Sequence, residues 1–372
     1  MILITRSNEI YSSPRIEKYI NFFDENEIEY TVIGWDRINK SLKRKNTVYF
    51  KLKSQFNLGG VKAATHRIKW MFFLIKQLLK NKKEITVIHA FDLDTAFPAT
   101  VFKFLFNRKV KVVFDICDWM SATLYNQNKI ILYAFKKMES FTIKHSDEVI
   151  ICEPERIEQI PYKLNKKEIV VPNIPSFNDT SFLKFEDKYK FDNNNITISY
   201  VGGFANCRNL NELFDAVKSN KFNLLIAGYG IKEIEDMFIE LSKLDNVKYF
   251  GKVNYKEGLS IMYNSDIIYA MYSKINPNHF YAAPNKYYEA MMLGKPIIST
   301  KGINMEKKIL DNKIGYIIDE CSDELLNLIV NINKNDLLFK GNNASELWQN
   351  KYKNYIDNYF NSTYKNFITL ND

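Results

Sequence analysis

Residues 281 to 300 read Tyr-Ala-Ala-Pro-Asn-Lys-Tyr-Tyr-Glu-Ala-Met-Met-Leu-Gly-Lys-Pro-Ile-Ile-Ser-Thr. Pro284 suits the first position of a helix, Gly294 suits the C′ position after it, and Pro296 prevents its continuation. The apolar residues after Pro296 are typical of a buried strand. This stretch therefore predicts a helix over 284–293 that leads directly into a strand, which is a repeating unit of parallel α/β folds.

The same alternation of short β-branched segments and helical patterns extends through most of the chain. We predict strands over residues 2–5, 30–34, 47–52, 85–89, 110–114, 148–152, 168–171, 196–201, 222–227, 247–250, 267–271, 296–299 and 315–318. Strands that alternate with helices form βαβ units and parallel sheets. The sequence thus predicts an α/β protein with two Rossmann-like, doubly wound domains, whose ligands bind at the carboxyl ends of the strands.

The boundary between the two series of strands is rich in turn-forming residues. It contains Pro172, Pro175 and the run Asp192-Asn-Asn-Asn195, which is typical of a linker. We therefore predict a first domain over 1–175, a linker over 176–195, a second domain over 196–343 and a long terminal helix within 344–372.

Composition excludes several classes of protein. A hydrophobic content of 46% in 372 residues is sufficient for buried cores and excludes global disorder. Unbroken apolar runs such as 71–75 are far below the ~20 residues that span a bilayer, and residues 1–5 are too short for the core of a signal peptide. The cysteines lie far apart, without metal-ligand spacing: Cys117, Cys152, Cys207 and Cys321. We expect reduced thiols, no metal site and a cytoplasmic location.

The net charge of +9 lies entirely in the first half of the chain. Residues 1–200 contain 32 Lys and Arg against 23 Asp and Glu, whereas residues 201–372 contain 20 of each. Within residues 37–83 there are fourteen basic residues and no acidic one. A basic surface of this kind attracts an anionic membrane, an acidic substrate or nucleic acid. We find no nucleic-acid recognition module, so nucleic acid is the least favoured partner.

Residues 61–83 have the pattern of a basic amphipathic helix. One face carries Lys62, His66, Lys69, Phe73, Lys76 and Lys80, and the other carries Ile68, Met71, Phe72, Ile75, Leu78 and Leu79. With Trp70, such a helix is able to lie on an anionic membrane. The alternative is a helix packed on the first sheet with a basic outer face, and the sequence leaves both open.

The predicted helix over 284–293 also has the features of an anion site. Its N-terminal amides and the positive end of its dipole attract negative charge. Lys286 and Glu289 are three residues apart and share one face, so they suit a phosphate and ribose hydroxyls respectively. A solvated Lys–Glu pair is the alternative.

This segment resembles the donor-binding helix of family 4 glycosyltransferases, whose fold is called GT-B. Glu289-Ala-Met291 and Gly294-Lys-Pro-Ile297 match the second half of the family's motif. A first glutamate is expected at position 281, where this chain has Tyr281. The Pro-Asn-Lys run over 284–286 resembles a bacterial subgroup. The resemblance implies a donor site with Tyr281, Ala283, Asn285, Lys286 and Glu289, and a C-terminal helix that crosses back to the first domain.

Further segments resemble the family in the same order. Residues 198–204, which end in Gly202-Gly203-Phe204, resemble the Gly-rich loop after the first strand of the second domain. A Gly-rich turn lets the backbone approach a pyrophosphate, and Arg208 offers a cation beside it. Residues 224–230 and 246–251 resemble the following strands, and the loop after the latter meets the nucleotide base in the family. The resemblance therefore adds Gly202, Gly203 and Arg208 to the donor site.

The first domain is expected to hold the acceptor. Arg15 follows Ser13-Pro14 at a predicted helix start and suits an acceptor phosphate, although a solvated arginine is the alternative. His89 and Asp92 belong to a turn that resembles the family's His-Ala-His-Asp, and Asp94 is predicted to cap the next helix. Asp118 is the main polar candidate after the strand at 110–114, with capping as its alternative. Many relatives have His at the position of Cys117, and that role is not transferred.

The resemblance implies a retaining glycosyltransferase that moves a hexosyl or N-acetylhexosaminyl group from a UDP- or GDP-sugar to an acceptor hydroxyl, without a further cofactor. Arg208 and Lys286 would stabilise the leaving diphosphate, and Asp118 and His89 would orient sugar or acceptor. A lipid-linked or surface-polysaccharide intermediate at the inner face of the cell membrane is the expected acceptor. Two alternatives remain open: a GT-B sugar-nucleotide epimerase, and a non-enzymatic peripheral membrane protein with a degenerate site.

Overall fold

The computed structural model describes residues 1–7, 13–37, 45–54, 60–124, 127–160, 168–175, 180–282 and 284–369. The chain forms two compact units. The first comprises Met1–Pro172 and Asn358–Asp372, and the second comprises Asn173–Asp357. Each unit is built on one parallel sheet, and every predicted strand is present. The predicted α/β class is confirmed.

The first unit contains a seven-stranded sheet. Its strands are β1 Ile2–Arg6, β2 Tyr30–Asp36, β3 Thr47–Lys51, β4 Val87–Phe91, β5 Lys111–Ile116, β6 Glu148–Ile151 and β7 Ile169–Val170, in the order β3-β2-β1-β4-β5-β6-β7. Its helices are α1 Pro14–Glu25, α2 Gly60–Lys80, α3 Leu93–Leu105, α4 Met120–Thr123 and α5 Lys129–His145. Because all pairings are parallel, the loops that follow the strands meet at one edge of the sheet.

The second unit contains a six-stranded sheet. Its strands are β8 Thr197–Phe204, β9 Asn223–Gly230, β10 Val247–Tyr249, β11 Ile267–Tyr269, β12 Ile297–Thr300 and β13 Gly315–Ile318, in the order β10-β9-β8-β11-β12-β13. Its helices are α6 Leu210–Val217, α7 Lys232–Leu241, α8 Tyr255–Tyr263, α9 Pro277–Phe280, α10 Asn285–Leu293, α11 Asn304–Asp311, α12 Ser322–Asn331 and α13 Lys334–Leu347. The order reverses between β8 and β11, which is where doubly wound sheets bind ligands.

Helix α10 begins and ends close to where its sequence predicts. Pro284 is its N-cap rather than its first residue, and Gly294 is its C-cap with a φ of 63°. That left-handed conformation costs glycine least, so the helix ends there and the chain enters β12. The seven residues Tyr287–Leu293 are all buried, which fixes the orientation of Lys286 one turn before Ala290.

Helix α2 buries only part of the predicted apolar face. Trp70, Leu74 and Leu78 are fully buried, with the Trp70 ring stacked 6.0 Å from that of Trp35. The predicted apolar face is therefore wrong in part, because three of its members are exposed: Ile68, Phe72 and Leu79. Apolar residues of α2 occur on several sides of the helix. The spacing of the sequence alone therefore does not identify which side packs on the sheet.

The C-terminal helical region is shared between the two units. Trp348 and Tyr352 belong to the core of the second unit, where Tyr352 packs edge-on against Tyr288 at 5.1 Å. Tyr359 and Tyr364 are buried in the first unit against Tyr19. The chain continues through α14 Tyr355–Asn358 to α15 Lys365–Thr369, with wider π-helical turns between them. The aromatic residues of this terminal region thus belong to two cores.

Two further observations concern the expected linker and membrane. Residues 176–179 of the linker lie outside the described residues, and the rest contains Tyr189, which is buried against Phe250 at 5.3 Å between ring centroids. Within the part of the chain that the structure describes, no helix is long and apolar enough to cross a bilayer.

Candidate active site

The structure brings four predicted donor residues together in the second unit. Gly202 lies near the carboxyl end of β8, Arg208 lies just before α6, and Lys286 and Glu289 lie in the first turns of α10. We call these four residues the donor cluster. They meet at the carboxyl edge of the sheet, as the parallel topology requires.

The Lys286 ammonium lies against the end of β8. Its Nζ is 4.8 Å from the centroid of the Tyr200 ring, and a β-carbon at Gly202 would lie 2.7 Å from it. Burial and then the Arg208 charge lower the pKa of Lys286 to about 8, whereas Glu289 acts in the opposite direction. Keeping Lys286 protonated therefore costs free energy, and a bound anion would lower that cost.

Arg208 and Glu289, the other two charged residues of the donor cluster, each contact a tyrosine. The Arg208 guanidinium carbon lies 4.3 Å from the centroid of the Tyr272 ring, a cation–π contact. Glu289 is only 5% exposed, and its Oε1 accepts a hydrogen bond of 2.9 Å from the Tyr255 hydroxyl. Burial raises the pKa of Glu289, although Lys286 and Tyr255 oppose the shift. Two cations around one carboxylate leave the cluster positively charged, which suits a diphosphate.

The other predicted donor residues lie close to members of the cluster in the sequence. Gly203 follows Gly202, and the carbonyl oxygen of Gly203 accepts a hydrogen bond of 2.6 Å from Tyr200. Tyr281 is half-buried, with its ring centroid 5.0 Å from that of Phe280, and Asn285 is exposed. Ala283 lies outside the described residues.

In the first unit, Arg15 and His89 form what we call the buried network, with Asp115 and Tyr364. Arg15 Nε and Nη2 donate to Asp115 Oδ1 at 2.9 and 2.7 Å, and Arg15 Nη1 donates to the carbonyl of Val171 at 2.7 Å. His89 Nε2 lies 3.3 Å from Asp115 Oδ2, and the Tyr364 hydroxyl lies 2.8 Å from His89 Nδ1. The alternative of a solvated arginine is wrong, because Arg15 and His89 are buried.

Electrostatics explain why this network is stable. Burial alone would raise the pKa of Asp115, but Arg15 and His89 outweigh it and hold the pKa below its ordinary value. Burial lowers the pKa of His89, although Asp115 opposes the shift, so the imidazole is neutral at pH 7. These positions favour a structural role for Arg15 and His89 over contact with an acceptor.

Asp92 and Asp118 lie in the loops after β4 and β5. Asp92 Oδ1 accepts hydrogen bonds of 3.2 Å from the backbone amides of Cys117 and Asp118, and its Oδ2 is 3.7 Å from Arg6 Nε. Burial raises the pKa of Asp92 to about 6, although Arg6 opposes it. Asp118 is exposed. The predicted cap is wrong: Asp92 is the N-cap of α3, and Asp94 lies in its first turn.

Sequence reasoning missed the partners of these residues. No motif marks Tyr200, Tyr255 and Tyr272 in a chain with 23 tyrosines, and Asp115 lies a hundred residues from Arg15 in the sequence. Among the described residues, no group of three or more His, Cys, Asp or Glu side chains is placed to hold a metal ion. The cysteines Cys117, Cys152, Cys207 and Cys321 are unpaired.

Known proteins that are similar to this chain include glycosyltransferases. Residues 181–353, which cover most of the second unit, match the family model described as Glycosyl transferases group 1. The comparisons support a glycosyltransferase of group 1 type. The chain is also similar to the capsular polysaccharide biosynthesis glycosyltransferase CapM of Staphylococcus aureus, with 24% identity over 271 residues, covering 67% of this chain and 69% of CapM.

Solved structures share the fold of the whole chain. Sucrose-phosphate synthase from Thermosynechococcus elongatus has a TM-score of 0.70 at 14% identity, covering 98% of both chains. Anabaena HepE in complex with UDP has a TM-score of 0.64 at 14% identity, covering 98% of this chain and 99% of HepE. A putative UDP-N-acetylglucosamine 2-epimerase from Listeria monocytogenes has a TM-score of 0.64 at 10% identity, covering 98% and 96%. The GT-B fold is confirmed, and it is shared by proteins named as a synthase and as a putative epimerase.

Proposed function

We propose that this protein is a retaining glycosyltransferase that moves a hexosyl or N-acetylhexosaminyl group from a nucleotide-sugar to an acceptor hydroxyl. The donor cluster carries the proposal, because it concentrates two cations at a helix N-terminus beside a glycine-lined strand end. Such a site suits the diphosphate that leaves during transfer. The HepE complex, which contains UDP, supports a UDP-type donor, and no further cofactor is invoked.

Each member of the donor cluster has a distinct part in this proposal. Lys286 and Arg208 bind the two phosphates, and their charge stabilises the leaving group in the transition state. Glu289, held by Tyr255, accepts hydrogen bonds from the ribose hydroxyls. Gly202 leaves room for the Lys286 ammonium and for the phosphates, since a side chain there would meet Lys286.

The first unit provides the acceptor side of the proposal. Asp118 is exposed at the carboxyl edge of its sheet, and Asp92 orders the loop by accepting two of its amides. We assign acceptor contact to Asp118 and loop positioning to Asp92. The similarity to CapM supports a surface-polysaccharide or lipid-linked intermediate as the acceptor class.

We propose further that the first unit docks on the anionic inner face of the cell membrane. The outer side of α2 carries lysines and large apolar residues in adjacent stripes: Lys62, Lys69, Lys76, Lys80, Ile68, Phe72 and Leu79. Apolar side chains enter the interface while lysines meet anionic lipid. Trp70, which is fully buried, takes no part in this contact.

Vesicle flotation tests the membrane proposal. Wild-type protein is expected to float with vesicles containing phosphatidylglycerol and not with phosphatidylcholine vesicles, and Phe72→Ser with Lys69→Glu is expected to abolish flotation. Leu338→Ser, at an exposed apolar residue of the second unit, is the matched control. Equal flotation of both variants would rule out α2 as the contact.

A donor panel tests the catalytic proposal. Thermal shift and calorimetry with UDP, GDP and their common sugars are expected to reveal one preferred nucleotide, because a ligand stabilises the folded state by mass action. Incubation of that donor alone with the protein separates the alternatives: an epimer product would identify an epimerase. Absence of binding across the panel would favour the non-enzymatic alternative.

A further inference from the structure

Three buried tyrosines of the second unit lie against the donor cluster. Tyr200 belongs to β8, Tyr269 ends the neighbouring strand β11, and Tyr272 follows three residues later. Their side chains are 1%, 1% and 7% exposed, and the rings of Tyr200 and Tyr269 meet edge to face with their centroids 6.4 Å apart. We call these three residues the tyrosine clamp.

Two hydroxyl groups of the clamp fix the backbone on both sides of Arg208. The Tyr200 hydroxyl donates to the carbonyl oxygen of Gly203 at 2.6 Å. The Tyr269 hydroxyl donates to the carbonyl oxygen of Asn209 at 2.7 Å. Asn209 has a left-handed φ of 50°, which most side chains disfavour, so a contact at its carbonyl helps to keep it there. The loop between β8 and α6 therefore presents Arg208 from a fixed backbone.

Two ring faces of the clamp hold the two cations of the donor cluster. Lys286 Nζ lies 4.8 Å from the centroid of the Tyr200 ring. The Arg208 guanidinium carbon lies 4.3 Å from the centroid of the Tyr272 ring. Burial and then the Arg208 charge lower the pKa of Lys286, so the two cations repel one another. A ring face attracts a cation but carries no net charge. The rings therefore hold the two cations near each other without neutralising them, as carboxylates would.

Lys286 and the Tyr200 hydroxyl converge on Gly202. A β-carbon at Gly202 would lie 2.7 Å from Lys286 Nζ and 3.6 Å from the Tyr200 hydroxyl oxygen. One tyrosine thus contacts both the lysine and the glycine-rich end of β8, because its ring faces the ammonium and its hydroxyl binds the strand at Gly203. A substitution at Tyr200 is therefore expected to disturb both.

We propose that the tyrosine clamp positions the two cations that bind the diphosphate of the donor. Tyr200 acts on Lys286 through its ring. Tyr269 and Tyr272 act on Arg208, the first through the backbone and the second through its ring. This inference rests on the proposed function, because it takes those two cations to bind the diphosphate. The tyrosines are positioning residues, and they raise affinity because groups held in the bound arrangement lose less freedom when the ligand arrives.

Calorimetry with inorganic pyrophosphate tests the clamp, because this ligand meets the cations without a base or a sugar. Tyr200→Leu removes the ring from Lys286 and is expected to weaken binding by about 2- to 30-fold, the range for loss of one cation–π contact. Tyr200→Phe and Tyr269→Phe keep the rings and remove one hydroxyl each, so losses of about fivefold are expected. UDP is titrated in parallel, and urea unfolding checks that each variant is folded.

The pH dependence separates positioning from a general loss of packing. The ring attracts the charged form of Lys286, so Tyr200→Leu is expected to move the midpoint of the pH dependence of pyrophosphate affinity below that of wild type. Tyr200→Phe retains the ring and is expected to keep the wild-type midpoint. Titration of pyrophosphate itself is the same for all variants, and a loosened core would weaken binding without moving the midpoint.

A matched control exists in β13 of the same unit. The Tyr316 hydroxyl donates to Asp336 Oδ2 at 2.6 Å, and Lys340 Nζ lies 4.9 Å from the centroid of the Tyr316 ring. Tyr316 thus has the same two kinds of contact as Tyr200, but its partners are not members of the donor cluster. Tyr316→Leu is expected to leave pyrophosphate affinity and its pH midpoint unchanged.

The outcomes distinguish the clamp from the proposed function. Wild-type affinity or a wild-type midpoint in Tyr200→Leu would overturn the clamp alone, and so would an equal loss of affinity in Tyr316→Leu. If Tyr200→Leu does not fold, wild-type affinity in Tyr200→Phe and Tyr269→Phe would overturn it. Failure of wild-type protein to bind either UDP or pyrophosphate would overturn the proposed function as well.

Discussion

Arg15 in the first unit and Lys286 in the second are both cations near the carboxyl edge of a parallel sheet, but their surroundings differ. Arg15 donates to Asp115 and to the carbonyl of Val171. Lys286 forms no ion pair among the described residues, and burial and a second cation lower its pKa. The protein itself completes the charge balance in the buried network, whereas it leaves the donor cluster positive. An anionic ligand is therefore needed to balance the charge of the donor cluster, whereas the buried network needs none.

The largest effect is expected from breaking the buried network. Asp115→Ala leaves Arg15 without its carboxylate partner in the core, so we expect a loss of about 3–5 kcal/mol in the free energy of unfolding. Urea unfolding measures it. The matched control is Asp187→Ala, which removes an exposed partner of Lys190 and should have no measurable effect. Similar stability of the two variants would show that the network is not structural.

In the donor cluster we expect a substitution to lower activity and to leave stability unchanged. Lys286→Ala should lower kcat/KM for transfer by about 10²–10³-fold, the cost of losing one preorganised transition-state contact, without loss of thermal stability. Lys243→Ala, at an exposed lysine on the same unit, should transfer at the wild-type rate. Undiminished transfer by Lys286→Ala would remove this residue from the site.

The pH dependence of nucleotide affinity gives a sharper comparison. Because the pKa of Lys286 is about 8 in the free protein, UDP affinity should be constant near pH 7 and fall by up to about tenfold per unit above pH 8. The stability of the ligand-free protein depends on pH in the opposite direction. Between pH 8 and 10.5 the unfolded chain binds more protons at Lys286 than the folded chain does, so the free energy of unfolding rises with pH through that window. Lys286→Arg should abolish the first dependence in calorimetry. A fall in affinity that persists in this variant would assign the titration elsewhere.

The smallest change in stability is expected from removing the Tyr364 hydroxyl of the buried network. Tyr364→Phe removes the hydroxyl beside His89 Nδ1 and leaves the ring packed, so we expect a loss of about 1 kcal/mol in the free energy of unfolding and normal transfer. Urea unfolding together with a transfer assay checks both. A large loss of transfer at normal stability would mean that His89 acts in the reaction, as the sequence first suggested.

Local sequence signals predicted the fold and the bounds of helix α10 well. Gly294 and the strand after it follow from residues adjacent in sequence, and Glu289 follows from spacing along one helix. Long-range pairing was not predictable in the same way. Arg15 became part of the core because Asp115, a hundred residues later, lies on the same sheet edge. The stripe of α2 that packs, and the tyrosine that holds Glu289, likewise depend on distant residues.

The last helical residues have a consequence for how the chain matures. Tyr359, Phe360 and Tyr364 pack around Tyr19, but the ribosome makes them only after the entire second unit. During synthesis the second unit is therefore able to fold while the first still exposes an aromatic surface on α1. The first unit is synthesised first but is completed last. Cleavage or premature termination after residue 357 would therefore leave an intact second unit attached to an incomplete first unit.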